Sequence, residues 1–179
     1  MINFGKLLGI TQGILSKGQK GRGAMAMMRR YDPSELSTYE GLVPWEHVFE
    51  EDGNSHWERD RGAEFVKFMC MVYRSEPGDK VMPTGGTRRK TFPKALLNSM
   101  QERGRDTSSF TSKLYLMTRT NQEEFYHGLM NLSSQIYEAR NQVDWVGLGY
   151  MIAYWDSDSS KQKKAWALGV ASGVGKNNK

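Results

Sequence analysis

The chain has 179 residues and a mass of 20.4 kDa, and its 25 Lys and Arg against 20 Asp and Glu give a net charge of +5. This length suits one compact domain of ordinary size. The hydrophobic fraction of 38% is too high for a disordered chain and too low for an integral membrane protein. The single cysteine, Cys70, excludes an internal disulfide and any zinc site with two or more thiolates.

The positive charge is concentrated in the first and last segments of the sequence. Residues 1–30 contain six Lys and Arg and no acid, and residues 161–179 contain five Lys and no acid. Because the whole chain is +5, the segment 31–160 has a net charge of −6. Basic segments of this kind attract polyanions, either nucleic acid or an anionic membrane surface. The alternative is that both are solvated segments that serve only solubility.

The first basic segment begins with an apolar stretch that is too short to cross a bilayer, which needs about 20 apolar residues. Six glycines between Gly5 and Gly23 disfavour a long free helix, so we predict a flexible apolar and basic arm over residues 1–30. The apolar part of such an arm would enter a membrane interface while its cations hold anionic headgroups. The residues expected to bind the membrane are Ile2, Phe4, Lys6, Leu7, Leu8, Ile10, Lys17, Lys20 and Arg22.

The next segment, 31–45, is interpreted as a linker that leads into a core domain. The predicted elements are a turn at 31–34, a short helix or extended stretch at 35–39, an apolar segment at 42–45 and a charged loop at 50–62. The run Phe65–Tyr73 is apolar at almost every position except Lys67, which favours a strand buried on both faces. A mobile basic loop is expected at 83–91. The candidates for contact with phosphates or an acidic partner are Arg29, Arg30, Arg88, Arg89 and Lys90.

The second half of the sequence favours helices alternating with strands. Pro93 opens a short helix to about Met100, with Leu96, Leu97 and Met100 facing inward. A longer helix begins at Asn121 and runs to about Arg140, with Phe125, Leu129, Leu132 and Ile136 at helical spacing. Strands are predicted at Leu114–Met117 and Val143–Trp155, and a last helix at Lys161–Gly169 within the basic segment 161–179.

These elements together predict an α+β fold for residues 31–179. We expect a single compact domain in which two or three helices pack on a mixed or antiparallel sheet, preceded by the flexible arm. The order of elements does not alternate as βαβ units do, which argues against a doubly wound parallel sheet.

A search for catalytic chemistry gives little. His47 and His56 lie among acidic residues, but their spacing matches no known ligand pattern, and His127 lies within a predicted helix. Cys70 is expected to be a buried structural thiol. The glycine-rich stretches lack the Gly-Lys-Ser/Thr of a phosphate-binding loop. We therefore expect no enzyme, no metal and no cofactor, with a site at His47 or His56 kept as the minor alternative.

A second class of function is RNA binding, as in a viral coat or movement protein. Aromatic residues lie near both basic segments, and stacking on bases would require their rings to be exposed. Burial in a core is the commoner fate of a tryptophan, and no RNP-like or zinc-knuckle signature is present. The aromatic residues concerned are Tyr31, Tyr39, Trp45, Trp155 and Trp166.

The first 75 residues contain several recognisable segments. They are Phe4-Gly5-Lys6-Leu7-Leu8-Gly9-Ile10, the Gly/Lys/Arg run after it, Tyr31-Asp32-Pro33-Ser34-Glu35-Leu36-Ser37-Thr38-Tyr39-Glu40, and the core segment Val66–Ser75. In this order the segments resemble the start of the rhabdovirus matrix proteins. The sequence departs from the animal-virus members in lacking their Pro-Pro-x-Tyr and Pro-Thr/Ser-Ala-Pro budding motifs. This absence fits budding at an internal membrane, as in plant-infecting relatives.

The resemblance implies a virion structural protein with an α+β core that lies beneath the envelope, and in the host cytoplasm and at host membranes before assembly. It would bridge an anionic membrane and the nucleoprotein–RNA complex, condense the nucleocapsid and drive budding. It would also associate with itself, and contact a viral glycoprotein tail or RNA directly. By the family's mode of association the linker would dock on a neighbouring core. The residues expected to do so are Tyr31, Pro33, Leu36, Tyr39, Leu42, Val43, Pro44 and Trp45.

Overall fold

Helices build the parts of the chain that the computed structural model describes, which are residues 1–32, 43–51, 55–74, 89–156 and 159–174. Helix accounts for 80% of these residues, and within them no strand is present. The only extended pairing among them is an isolated bridge between Lys90 and Val143. The prediction of an α+β domain with a mixed or antiparallel sheet is therefore wrong.

The chain divides into two compact units, Met1–Thr84 and Gly85–Lys179. In unit 1 the described elements are α1 (Phe4–Ser16), α2 (Gln19–Arg29), a 3₁₀ turn at 43–45, α3 (Glu46–Glu51) and α4 (His56–Val72). The helices α1, α2 and α4 all pack on one another. The predicted flexible arm is thus also wrong, because residues 4–29 form two helices of a folded unit.

The apolar run predicted as a strand at Phe65–Tyr73 belongs to α4. This helix begins at a capping box, in which the Ser55 side chain accepts the Glu58 backbone N–H and the Glu58 carboxylate accepts the Ser55 N–H. Its C-terminal half is apolar nearly all round because it contacts α1 and α2 together. A helix buried on most sides and a strand buried on both faces give the same continuous apolar sequence.

Unit 2 is a second helical unit. Its α-helices are α5 (Phe92–Glu102), α6 (Ser108–Leu116), α7 (Gln122–Met130), α8 (Ser133–Ile136), α9 (Trp145–Tyr154) and α10 (Ser159–Gly173). Two 3₁₀ helices, Met117–Arg119 and Tyr137–Gln142, follow α6 and α8. The strands predicted at Leu114–Met117 and Val143–Trp155 are therefore helical. Asp144 starts α9 by accepting the backbone N–H of Gly147 at 3.0 Å, which is a helix signal.

The predicted helices of unit 2 are confirmed in place but not in every length. The helix from Pro93 is present, and Leu96, Leu97 and Met100 are buried as expected. The helix expected from Asn121 to Arg140 begins at its capping box but ends at Met130. The last helix is longer than predicted, and two of its glycines face α5 closely: a Cβ at Gly169 would lie 2.3 Å from Thr91 Oγ1.

An aromatic cluster forms the centre of unit 2. Phe125 stacks on Trp155 with ring centroids 3.7 Å apart, and Trp166 meets both rings edge-on. Each indole N–H reaches a backbone carbonyl, from Trp155 to Thr120 at 3.1 Å and from Trp166 to Leu114 at 2.8 Å. These tryptophans are structural, because both their rings and their polar atoms are engaged inside the unit.

Candidate functional site

The outer surface of α1 and α2 is rich in exposed cations. Neither helix contains an acidic residue, and their outward positions include cations, small residues, the exposed Gln19 and Met27, which is 43% exposed. We call this surface the basic face. Its exposed cations are Lys6, Lys17, Lys20, Arg22 and Arg30.

A close approach between the two helices fixes the hairpin that carries most of these cations. A Cβ added at Gly21 would lie 2.0 Å from the carbonyl oxygen of Ile14, so only glycine permits this contact. Gly18 enters α2 with φ of +55°, a left-handed conformation that glycine adopts without strain. The turn between the helices carries Lys17, and Lys20 lies in the first turn of α2. The sequence Lys17-Gly18-Gln19-Lys20-Gly21, predicted as part of a flexible arm, is therefore a tight helical hairpin.

Other glycines of the hairpin face open space. A Cβ at Gly9, Gly13 or Gly23 would meet no atom of unit 1 within 4 Å. A glycine inside a helix destabilises it by about 1 kcal/mol relative to alanine. Packing within unit 1 therefore does not explain why these three positions are glycine. No side chain projects from them, so the surface between the cations of the basic face is flat there.

The apolar residues expected to enter a membrane lie inside the fold. Phe4 packs edge-on against Phe65 of α4, with ring centroids 5.1 Å apart, and Leu7 is fully buried. Ile2 and Leu8 are buried and Ile10 is half-buried. The membrane-binding set is therefore divided: its aliphatic and aromatic members build the core of unit 1, and its four cations form most of the basic face.

Arg29, a candidate for contact with phosphates, caps a helix instead. Its Nε donates to the carbonyl of Cys70, and its Nη2 donates to the carbonyl of Tyr73 at 2.7 Å. The end of α4 has carbonyls without intrahelical partners, and a cation there is also favoured by the helix dipole. In return, Lys67 of α4 donates to the carbonyl of Tyr31, just beyond α2, at 2.6 Å. The two helices thus cap each other at their C-terminal ends.

The residues predicted for self-association are only partly described. Tyr31 and Trp45 are buried in unit 1, and the Trp45 indole donates to Thr11 Oγ1 at 3.1 Å. Pro44 is half-buried, whereas Val43 is 60% exposed. Trp45 therefore packs on the core of its own chain. The others, Pro33, Leu36, Tyr39 and Leu42, lie outside the described residues.

The predicted basic loop of unit 2 is described only at its end. Lys90 is half-buried, its backbone pairs with Gln142 and Asp144, and its Nζ donates to Gln142 Oε1 at 2.7 Å. Arg89 is half-buried as well, and Arg88 lies outside the described residues. Lys90 is thus held in unit 2 and does not extend from a mobile loop.

The histidines considered for catalysis all lie at the surface. His47 on α3 and His56 on α4 are both exposed, as is His127. Where the structure describes the chain, no three His, Cys, Asp or Glu side chains gather as a group that could hold a metal ion. Cys70 is buried as predicted, and burial raises the pKa of its thiol to about 12, although the nearby Arg29 acts in the opposite direction. A thiol in this state is a poor nucleophile.

No protein-family model matches the chain, and no curated protein or solved structure was found to be similar to it. None of the described helices combines the length and apolar character that crossing a membrane requires.

Proposed function

We propose that the protein is a non-enzymatic structural protein of a virion, of the matrix type. It adsorbs to an anionic membrane through the basic face, associates with itself and connects the envelope to the nucleoprotein–RNA complex. The observation that supports this proposal is the acid-free, exposed set of cations on α1 and α2. The α+β core implied by the family resemblance is contradicted, so the proposal depends on this surface and not on the fold.

Adsorption through the basic face is electrostatic. Each cation near an anionic membrane contributes on the order of 1 kcal/mol. The five exposed cations therefore give about 5 kcal/mol at most, or roughly a 10³- to 10⁴-fold enrichment at the surface. This is weak for one molecule, and it becomes strong when linked copies bind together. Weak single contacts and self-association thus belong to one mechanism.

Lipid is favoured over RNA because the described aromatic rings that the sequence places near the basic segments are buried, although Trp57 and Tyr115 elsewhere are exposed. Tyr31, Trp45, Trp155 and Trp166 are each at most 1% exposed. Phe4, the aromatic residue of α1, is buried too. The outer surface of α1 and α2 offers cations, small residues and the exposed Met27, which suit a layer of anionic headgroups.

Flotation with vesicles tests the proposal. We expect the protein to float with vesicles containing phosphatidylserine, to lose flotation as the salt concentration rises, and not to float with vesicles of phosphatidylcholine alone. The variant Lys17→Glu/Lys20→Glu/Arg22→Glu should lose most of its binding. The matched control reverses three exposed cations of unit 2, Arg105→Glu, Lys113→Glu and Arg119→Glu, and has the same net charge.

The comparison of the two variants decides the result. If both lose flotation equally, net charge is responsible and the basic face is not the site. If the protein ignores anionic vesicles but binds single-stranded RNA in a manner that depends on the basic face, the role is that of an RNA-binding coat or movement protein.

A further inference from the structure

Ser108, the first residue of α6, follows an exposed segment that contains two arginines. Residues 103–107 join α5 to α6, and Arg103, Arg105 and Ser108 are all exposed. The two arginines stand five and three positions before the serine. In an extended chain, residues two positions apart lie on the same side at a distance of about 7 Å. Both guanidinium groups can therefore reach one acidic surface of a partner that binds this segment in extended form.

This spacing of arginines and hydroxyl is typical of the substrates of protein kinases that select basic sequences. Such kinases place carboxylates where they bind the arginine three positions before the acceptor hydroxyl. In the whole sequence, two Ser or Thr residues have Lys or Arg three positions before them, Thr91 and Ser108. The Thr91 Oγ1 is buried and lies against Gly169 of α10. The fold therefore hides one of the two hydroxyl groups and presents the other, that of Ser108.

The start of α6 is held by few contacts. The Asp106 carboxylate accepts the Ser108 backbone N–H at 2.9 Å and the Ser108 hydroxyl at 2.7 Å. The N-cap residue, Thr107, forms no side-chain cap hydrogen bond, and the buried residue of α6, Leu114, lies six positions beyond Ser108. A helix end with little buried surface opens at a low cost in free energy. The first turn of α6 can thus unwind to place the Ser108 hydroxyl in the active site of a kinase.

We propose that Ser108 is a phosphorylation site for a protein kinase that selects basic sequences and uses ATP. The Ser108 oxygen forms a bond to the γ-phosphorus of ATP, and the bond from that phosphorus to the oxygen bridging the β- and γ-phosphates breaks. ADP leaves, and the hydroxyl proton passes to a carboxylate of the kinase. This inference goes beyond the proposed function and does not depend on membrane adsorption.

The phosphate would change the ion pairs of the segment that joins α5 to α6. It adds about 1.5 to 2 negative charges at the first residue of α6, where the helix dipole favours an anion. Arg103 lies 3.0 Å from Glu138, and because both side chains are exposed this pair is weak. A phosphate is a stronger acceptor for a guanidinium than a single carboxylate at the surface. Phosphorylation therefore transfers Arg103 from Glu138 to Ser108.

Phosphorylation of the folded full-length protein tests the inference. The probe is the catalytic subunit of cAMP-dependent protein kinase with magnesium and ATP, and mass spectrometry locates the phosphoryl group. We expect the group on Ser108 and no incorporation in Ser108→Ala. Arg105→Gln should lower the initial rate by about tenfold or more, and Arg103→Gln by a few-fold. The matched control, Arg119→Gln, removes an exposed arginine beyond α6 and should leave the rate unchanged.

A second measurement follows Arg103 directly. In the unmodified protein, Glu138→Gln should shift the NMR resonance of the Arg103 Nε–H group, because the two side chains are paired. In the phosphorylated protein the same substitution should have no effect on this resonance. An equal shift before and after phosphorylation would contradict the exchange of ion pairs.

Three results would overturn the phosphorylation site itself: a folded protein that takes up no phosphoryl group, incorporation that maps to a residue other than Ser108, or equal rates for the wild type and Arg105→Gln. A peptide of residues 101–112 that is phosphorylated while the intact protein is not would also overturn it, because α6 would then hide the hydroxyl. Near-UV circular dichroism, which reports on the buried tryptophans of unit 2, verifies that each variant is folded.

Discussion

Replacing Arg29 by methionine tests whether this cation stabilises the fold or binds a partner. Methionine keeps much of the apolar stem of the side chain but removes the guanidinium. The carbonyls of Cys70 and Tyr73 then lose their side-chain donor at the end of α4. The neighbouring residue, Arg30, is exposed and provides the matched control, since Arg30→Met removes the same charge one position away.

The size of the effect follows from the contacts. A hydrogen bond to a charged group contributes about 1.5–3 kcal/mol, and a cation at a helix C-terminus adds about 0.3–1 kcal/mol. Arg29 is partly exposed, which favours the lower values, so we expect Arg29→Met to reduce the free energy of unfolding by about 3 kcal/mol. Arg29→Lys should lose only about half as much free energy of unfolding as Arg29→Met, because an ammonium cannot donate to both carbonyls as the guanidinium does. Arg30→Met should change stability by less than about 0.5 kcal/mol.

The labelling rate of Cys70 measures this change within unit 1. The thiol is fully buried, so a thiol reagent modifies it only when the unit opens. Arg29→Met should raise the labelling rate by about two orders of magnitude. Arg30→Met should leave the rate unchanged and instead weaken vesicle binding by a few-fold.

The opposite pattern would refute the argument. If Arg29→Met kept full protection of Cys70 but lost vesicle binding, Arg29 would be a partner contact, as the sequence suggested, and the cap would contribute nothing measurable.

Three further predictions concern unit 1. Gly9→Ala should stabilise the unit by up to about 1 kcal/mol, whereas Gly21→Ala should destabilise it, because only the first position has room for a Cβ; urea unfolding measures both. Thr11→Val should lower the free energy of unfolding by about 1–3 kcal/mol, because the Trp45 indole N–H is then buried without its acceptor. In a double-mutant cycle, adding Trp45→Phe to Thr11→Val should recover part of this free energy. The Cys70 thiol has a pKa of about 12 in the folded chain against an ordinary value of 9.0. As pH rises from 9 towards 12 the unfolded chain loses this proton while the folded chain keeps it, so the free energy of unfolding of unit 1 falls. This part of the pH dependence should be absent in Cys70→Ala.

The helix starts were available in the sequence, and the strand predicted at Phe65–Tyr73 lies where burial removed the helical periodicity. Asn121 with Glu124, and Pro93, mark real helix starts. The pair Ser55 and Glu58 carries the same capping signal ahead of the run predicted as a strand. Local capping chemistry is visible in a few residues, whereas the number of neighbours that bury a helix depends on the whole fold.

The candidate site was predictable in its charge but not in its geometry. The absence of acids from residues 1–30 identified the basic face correctly as a region of positive charge. The glycine content of residues 1–30 suggested flexibility. The sequence alone does not reveal that Gly21 permits a helix contact while Gly9 faces open space. The role of Arg29 also depends on carbonyls 41 and 44 residues away, which no local pattern indicates.

The mutual capping of α2 and α4 bears on how deletions of this protein should be designed. Removing the first 30 residues, a usual way to test a basic tail, would here strip away Arg29 together with the side chains that cover Phe65 and Cys70. The shortened chain would expose hydrophobic residues of the core, and aggregation of this chain could be mistaken for a loss of membrane attachment. Point changes confined to outward-facing cations avoid that confusion.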